Sequence, residues 1–497
     1  MSTALLTRPR LPRPALAPRR GRVAAIACAT VAALNAASWS FITPPFQSTD
    51  EPSHFAYVEQ LASEGRVPSS DSEVFSSREA LVLRALRWAA VKRKPENRTI
   101  ASAGEQRTLE ADLASGAGGT RGPAGAGVAA SQPPLYYALE TIPYWLGSGG
   151  GVLAQLQLMR LLSAMVAGAT ALFAFLFLRE ALPAAPWAWV VGGLAVALMP
   201  LLASSSGAVN PDAMLFAVSA ASFYCIARAF RRGLTPRLAV AIGALIAIGS
   251  LTKITFAGLI PGVLLGLIWL TARRWRSLGR AALRELGLAL AAACSPLCAY
   301  VVLNLISGRA ALGLASGIFA FASRPSLGGE LSYIWQLYLP RLPGMSRDFT
   351  DISPIRNLWF DGLVGQYGWA DTFFPGWAYD VALVPAGLLA ALCLRSLVGR
   401  LRALRARAPE LGVYLAMSVG LLLVIGVGSY STFPQLAAGF AEPRYLLPLL
   451  PLMGAAIALA ARAGGRRWGP VVGALIVVMF VAYDLVSQLQ VIARYYG

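Results

Sequence analysis

Thr43-Pro44-Pro45-Phe46-Gln47-Ser48-Thr49-Asp50-Glu51-Pro52-Ser53-His54-Phe55 follows directly on an apolar run, residues 23–42. A run of about 20 such residues is what an α-helix needs to cross a bilayer, and the paired prolines stop it. Two adjacent carboxylates and the chain's only histidine are thereby set at a membrane–water boundary. Charge there is costly unless it has a task, so this stretch is the first place to look for chemistry.

The rest of the chain repeats the apolar theme. It is 56% hydrophobic and only 13% charged over 497 residues, which excludes an ordinary soluble domain. The run at 23–42 lacks a small-residue cleavage site and so reads as a retained helix rather than a leader. The net charge of +19 does not point to nucleic acid, because the arginines cluster just beyond apolar runs: Arg8 to Arg22, Arg231 to Arg237, Arg273 to Arg284, Arg395 to Arg407, and Arg462 to Arg467. That is the positive-inside pattern. The five cysteines fall in or beside the runs, as small buried hydrophobes and not as a disulfide framework.

The arginines orient the chain. A basic cytoplasmic arm, 1–22, precedes the first span, 23–42, which delivers Asp50 to the outer face. A long outer loop, 43–155, follows, then a bundle over 156–306 with runs at 156–178, 187–204, 212–230, 238–252, 254–271 and 286–306. A second outer segment, 307–378, leads to a C-terminal bundle, 379–497, with runs at 379–396, 411–430, 445–461 and 469–489. The expectation is an all-α, polytopic integral membrane protein with about 11–13 transmembrane helices, the stretch 133–147 being a further embedded or interfacial piece. The arginines alone set this topology, yet it collects Asp50, Glu51, His54, Gln132, Asn210, Asp212, Lys253, Asp371, Glu442 and Arg444 at outer boundaries, as one outward-facing site would.

Within the first outer loop, residues 52–64 read as a juxtamembrane helix, with Pro52 at its start and Gly65 past its end. Phe55, Val58 and Ala62 recur at helical spacing, which predicts that it lies on the membrane surface. A second amphipathic stretch, 78–94, carries Arg84, Arg87, Lys92, Arg93 and Lys94 and suits phosphate head groups. Residues 101–130, rich in Gly, Ala and Ser, read as a flexible insert.

These motifs resemble those of the fold-type-C glycosyltransferases, polytopic enzymes that use polyprenyl-phosphate sugars. The likeness rests on the span ending in Asp50-Glu51 and the helix closing with Glu64-Gly65-Arg66-Val67-Pro68. It continues through Gln132-Pro133-Pro134-Leu135-Tyr136-Tyr137, Asn210-Pro211-Asp212, Leu251-Thr252-Lys253 and Glu442-Pro443-Arg444-Tyr445-Leu446-Leu447-Pro448. Within that superfamily the chain is similar to a bacterial branch of membrane proteins that combine Asp-Glu-Pro-Xaa-His-Phe with Asn-Pro-Asp. The resemblance thins over 70–130 and 310–350.

It implies a membrane glycosyltransferase acting on the outer face of a bacterial plasma membrane. The expected partners are a polyprenyl-phosphate-linked sugar, a cell-envelope glycan, lipid or protein acceptor, and the bilayer itself. Catalysis would be inverting, with Asp50 as general base, since a carboxylate at a low-dielectric boundary can take a proton. Glu51 is the second candidate catalytic carboxylate. The rival reading of either is a cap on the 52–64 helix. Lys253 and Arg444 are candidates to hold the donor phosphate; the alternatives are snorkelling for Lys253 and pairing with Glu442 for Arg444. His54, Gln132, Tyr136, Asn210 and Asp212 are candidate substrate-binding residues. Gln366, Tyr367, Trp369 and Asp371 join them as rings and hydrogen-bonding groups that suit a sugar, or else as an interfacial aromatic belt. Asp50, Glu51 and His54 are too few to define a metal site, and no cofactor is expected. A flippase of lipid-linked sugar and a non-catalytic partner in envelope-polymer assembly are the other readings.

Overall fold

A computed structural model describes residues 18–98, 102–116, 119, 121–123, 125–183, 185–313, 327–349, 352–431 and 441–497. The chain is all-α and polytopic. Its β-structure among these residues is a single antiparallel hairpin, Gln366 pairing with Phe373 and Tyr367 with Thr372. Eight stretches are long and apolar enough to cross a membrane, the first at its amino-terminal end and the last being Gly465–Tyr496. One of them, Ile254–Ile306, is 53 residues long, about 80 Å of helix at 1.5 Å per residue and far more than one crossing of about 30 Å. It divides at Gly279 into Ile260–Leu278 and Leu283–Ile306, on either side of the Arg273 to Arg284 cluster. Adding this division, the bent pair Pro186–Ala197 and Pro200–Ser206, and the short apolar helix Pro236–Thr252 brings the eight to eleven.

Several helices break near the end of the bundle that carries the long loop. Pro200 bends its pair by 52°, as a ring that cannot continue the preceding helix must. Asn210-Pro211 starts the Asp212–Arg232 helix, Lys253 interrupts the chain between Pro236–Thr252 and Ile254–Gly258 in extended conformation, and Glu442 leads into a 3-10 turn, Pro443–Leu449. Non-helical backbone survives at membrane depth only when it is enclosed by protein or lines a cavity. These breaks bring Asp212, Lys253, Glu442 and Arg444 together. At the opposite, arginine-rich end, Arg232 pairs with Glu180 at 2.6 Å and Arg407 with Glu410 at 2.7 Å.

The loop 43–155 departs from its sequence reading in three ways. The Glu51–Glu64 helix does not lie on a surface: residues 51 to 60 are all buried, because the helix packs into a second core with Phe46, Val82, Tyr137, Tyr144, Leu156 and Val209. The basic stretch 78–94 is two short helices, Ser77–Ala85 and Trp88–Val91, broken where Arg87 turns left-handed (φ 52°). Its Lys92 faces two indoles instead of lipid phosphate, 4.3 Å from the Trp88 ring and 3.8 Å from that of Trp369. Inside the supposed flexible insert, Ala103–Ala114 is helical, fixed by a capping box in which Ser102 and Glu105 exchange hydrogen bonds. Residues 133–147 hold the 12-residue helix Leu135–Leu146, about 18 Å long and too short to span. Of the cysteines, Cys28 and Cys225 are buried, but Cys294 and Cys298 are exposed on the Leu283–Ile306 helix.

One contact locks loop to bundle. Arg160, in the middle of the Gly151–Ala181 helix and 1% exposed, meets Glu51, which is fully enclosed. Its Nε donates to Glu51 Oε1 at 2.8 Å and its Nη2 to Oε2 at 2.5 Å. Its Nη1 donates to the carbonyls of Ser40 and Thr43, and Nη2 also to Pro44. Glu51 further accepts from the backbone N–H groups of Phe46 and Val209. Removing one member of such a pair strands the other charge, at a cost of about 3–5 kcal/mol. Arg160→Gln should therefore lower the thermal unfolding midpoint in mild detergent by many degrees, and Arg160→Met combined with Glu51→Gln should recover part of the loss. Equal midpoints for wild type and Arg160→Gln would contradict this account.

Candidate active site

Asp50 ends the turn that Arg160 and Glu51 hold. Its backbone is left-handed (φ 63°), and although it occupies the N-cap position of the Glu51–Glu64 helix its side chain makes no capping bond. The capping alternative for Asp50 thus fails, and Glu51 is committed to Arg160. Glu51 is no accessible base, a correction that follows from its complete burial.

Around Asp50 lies an ion-pair cluster. Arg444 Nη2 is 3.3 Å from Asp50 Oδ2, and Arg444 Nε is 2.8 Å from Glu442 Oε2 and 3.3 Å from Asp212 Oδ2. Lys253 Nζ reaches Asp212 Oδ1 at 2.6 Å. Three carboxylates thus surround two cations. The Tyr445 ring lies beneath both cations, 4.8 Å from Lys253 Nζ and 5.7 Å from the Arg444 guanidinium carbon. The members differ in access. The Asp212 side chain is sealed and Lys253 nearly so, whereas Asp50 is 25% and Glu442 32% exposed. Asn210 acts within the backbone, its Oδ1 accepting from the Asp212 N–H at 2.9 Å.

His54 is buried one turn along, its Nδ1 2.9 Å from the hydroxyl of Tyr137. Tyr137 in turn stacks on Tyr57 with ring centroids 3.7 Å apart. Burial, reinforced by the Lys253 and Arg444 charges, holds the imidazole well below its ordinary range, so it is neutral in the fold.

A cavity of about 50 Å³ opens beside the cluster, bordered by Ser48, Thr49, Ser204, Ser205, Gln366, Gly368, Glu442 and Arg444. It has room for a few waters. Of the candidate residues on the hairpin, Gln366 and Tyr367 line it, the latter with its hydroxyl on Ser487 at 2.9 Å. Trp369 and Asp371 serve the hairpin itself. Trp369 Nε1 donates to the Phe46 carbonyl, and Asp371 Oδ2 takes Arg494 Nη2 at 3.0 Å. Two further candidates lie elsewhere: the Tyr136 hydroxyl sits 2.8 Å from Ser163 Oγ, facing the Gly151–Ala181 helix, and Gln132 borders a different cavity. Among the described residues no three His, Cys, Asp or Glu side chains are grouped to hold a metal.

Sequence reading missed Arg160, Tyr137, Tyr445 and Arg494. Arg160 had a signal, as the one charged residue in the apolar stretch 151–178. Tyr137 had none, since two adjacent tyrosines on a helix look alike until the face is known.

These features define a polytopic membrane protein with a buried ion-pair cluster open at one end. The chain belongs to the DUF2142 family of predicted membrane proteins, whose model matches residues 34–453. No curated protein matches it in sequence. Solved structures similar to it include the oligosaccharyltransferase AglB from Archaeoglobus fulgidus in complex with an inhibitory peptide and a dolichol-phosphate, at 14% identity and TM-score 0.45. The apo form of the Archaeoglobus fulgidus oligosaccharyltransferase matches at 13% identity and TM-score 0.44. Each match covers 95% of this chain and 56% of the other, so the chain spans a little over half the length of those structures.

The neutral His54 has a consequence for stability. A folded-state pKa below the unfolded value of about 6.5 gives stability that is complete above that value and is lost as pH falls below it. The gap in unfolding midpoint between wild type and His54→Gln should therefore shift against wild type as pH drops from about 7 to about 5. The comparison is made with the variant because burial raises Glu59 and Glu79, which titrate with the opposite sign. A gap independent of pH would refute the neutral assignment.

Proposed function

We propose that the protein is a membrane glycosyltransferase that moves a monosaccharide from a polyprenyl-phosphate donor to a cell-envelope acceptor on the outer face of a bacterial plasma membrane. The observation that carries this reading is Asp50: a part-open carboxylate, free of any capping role, held at the mouth of a cluster whose Asp212 is sealed. The order of the motifs along the chain, from Asp50-Glu51 to the Glu442-Pro443-Arg444 turn, supports it further.

In this reading the acceptor hydroxyl gives its proton to Asp50 as its oxygen bonds to the anomeric carbon. The bond from that carbon to the phosphate oxygen breaks, and polyprenyl phosphate leaves with the electron pair. One displacement inverts the anomeric centre. Arg444, 3.3 Å from Asp50, holds the carboxylate in place and, with Lys253, offsets charge growing on the leaving phosphate. His54, neutral and tied to Tyr137, orients this face of the site without competing for the proton. A cavity of about 50 Å³ does not admit a sugar, so binding requires the hairpin Gln366–Phe373 and the 43–50 turn to part.

The test is release of polyprenyl phosphate from a panel of short-chain polyprenyl-phosphate sugars by purified protein with envelope acceptors present. Asp50→Asn should cut turnover by about 10²-fold or more, with unfolding midpoint and donor binding retained. Turnover that survives Asp50→Asn would remove Asp50 as the base; donor binding without turnover in both proteins would favour a flippase or assembly partner.

A further inference from the structure

A second cavity, of about 250 Å³, lies at the far end of the Leu283–Ile306 helix. It is several times roomier than the one beside the ion-pair cluster. Its walls come from the chain just after the Glu51–Glu64 helix, from the turn before Pro133, and from the last turns of Leu283–Ile306 with the residues that follow. Ser69, Gln132, Tyr300, Asn304 and Arg309 supply its polar groups.

Two of these side chains lack partners. Gln132 is more than nine-tenths buried, yet its Oε1 has no hydrogen-bond partner and its amide nitrogen makes none among the described residues. Arg309, half-buried, has no ion pair among them either. A buried amide with unused capacity costs stability unless something fills the cavity, and an unneutralised guanidinium at its rim favours an anion. Flanking the helix face that lines the cavity, Leu303 and Leu305 are 63% and 56% exposed, a surface that only hydrocarbon covers well. An anionic head over an apolar track is the shape of a phosphate-bearing lipid. The volume, under the roughly 300–1,000 Å³ of a pocket that swallows a whole drug-sized ligand, suits the head alone.

From this geometry we infer that the cavity is a head-group site for a membrane lipid phosphate, with Arg309 as the phosphate ligand, the Gln132 amide as a hydrogen-bonding group, and the tail lying along the helix flank that Leu303 and Leu305 mark. The site is separated from the ion-pair cluster by a chain of aromatic contacts. The Gln132 carbonyl accepts from the Tyr57 hydroxyl at 3.3 Å, Tyr57 stacks on Tyr137, and Tyr137 meets His54. A lipid head held here therefore meets Gln132, whose backbone is bonded to the tyrosine stack that reaches His54. The inference requires no transfer reaction, so it can fail or stand independently of the role of Asp50.

The experiment measures equilibrium binding, without turnover, of farnesyl phosphate, farnesol and inorganic phosphate to the full chain in neutral detergent. Arg309→Gln, Arg309→Lys and Arg341→Gln, the last at an exposed arginine that lines neither cavity, are compared with wild type, and unfolding midpoints confirm folding. Farnesyl phosphate should bind wild type, lose about tenfold or more in affinity to Arg309→Gln, recover in part with Arg309→Lys, and bind Arg341→Gln like wild type. Farnesol should not distinguish wild type from Arg309→Gln. The inference is overturned if Arg309→Gln binds farnesyl phosphate as wild type does, or if Arg341→Gln loses it equally. Inorganic phosphate binding as tightly as farnesyl phosphate would also overturn it, by making this a site for a free anion.

Discussion

The enclosed pair between Arg160 and Glu51 is the constraint on which the rest of the architecture depends. Every N–H of the guanidinium has an acceptor, and both carboxylate oxygens accept from backbone as well as from arginine. The pair fastens four pieces of chain: the end of the first spanning helix, the Pro44-Pro45 turn, the start of the Glu51–Glu64 helix and the approach to Asn210. Burying two charges gains little net stability compared with apolar residues of the same volume. Its value here is register. With Glu51 pinned, the preceding residue has a single place to go, and the left-handed backbone at Asp50 aims its carboxylate away from the helix and toward Arg444.

The ion-pair cluster then works by a gradient of access. Asp212, sealed and bonded to Lys253, supplies fixed negative charge that holds Lys253 and Arg444 in place without being consumed. Asp50 and Glu442 share the open side of Arg444. A ligand anion entering here must displace or neutralise carboxylate, so Asp50 and Glu442 have to give way before Arg444 can meet one.

What was legible in the sequence follows from what sequence encodes locally. Spanning helices announce themselves by length and apolarity, and arginines beyond their ends fix the order, so the all-α polytopic architecture and its helix breaks at Asn210-Pro211, Lys253 and Pro443 could be read directly. The proximity of Asp50, Asp212, Lys253, Glu442 and Arg444 was inferable from a shared boundary. Their pairing was not, because Arg444 is 394 residues from Asp50 and could equally have met Glu442 alone. The loop was misread for a related reason. Amphipathic spacing in residues 52–64 says that one face is apolar, but it does not say that a second core built from the loop's own helices will cover the other. Glycine and alanine content at 101–130 likewise hid a capping box, which is a two-residue signal inside a low-complexity stretch.

The two cavities lie near opposite ends of the Glu51–Glu64 helix, one lined by Ser48 and Thr49 before it and the other by Val67 to Ser69 after it. Tyr57 and Tyr137 are stacked nearly parallel, with their hydroxyls directed to opposite sides, one toward Gln132 and the other toward His54. Tyr57 belongs to the Glu51–Glu64 helix and Tyr137 to Leu135–Leu146, so the stack ties the two loop helices together and links Gln132 to His54. Burial keeps His54 neutral, and it lies close to the charges of Lys253 and Arg444. The Glu51–Glu64 helix is thus fixed at two levels, at its first residue by Arg160 and about a turn and a half further on by the Tyr57–Tyr137 stack, with His54 between them.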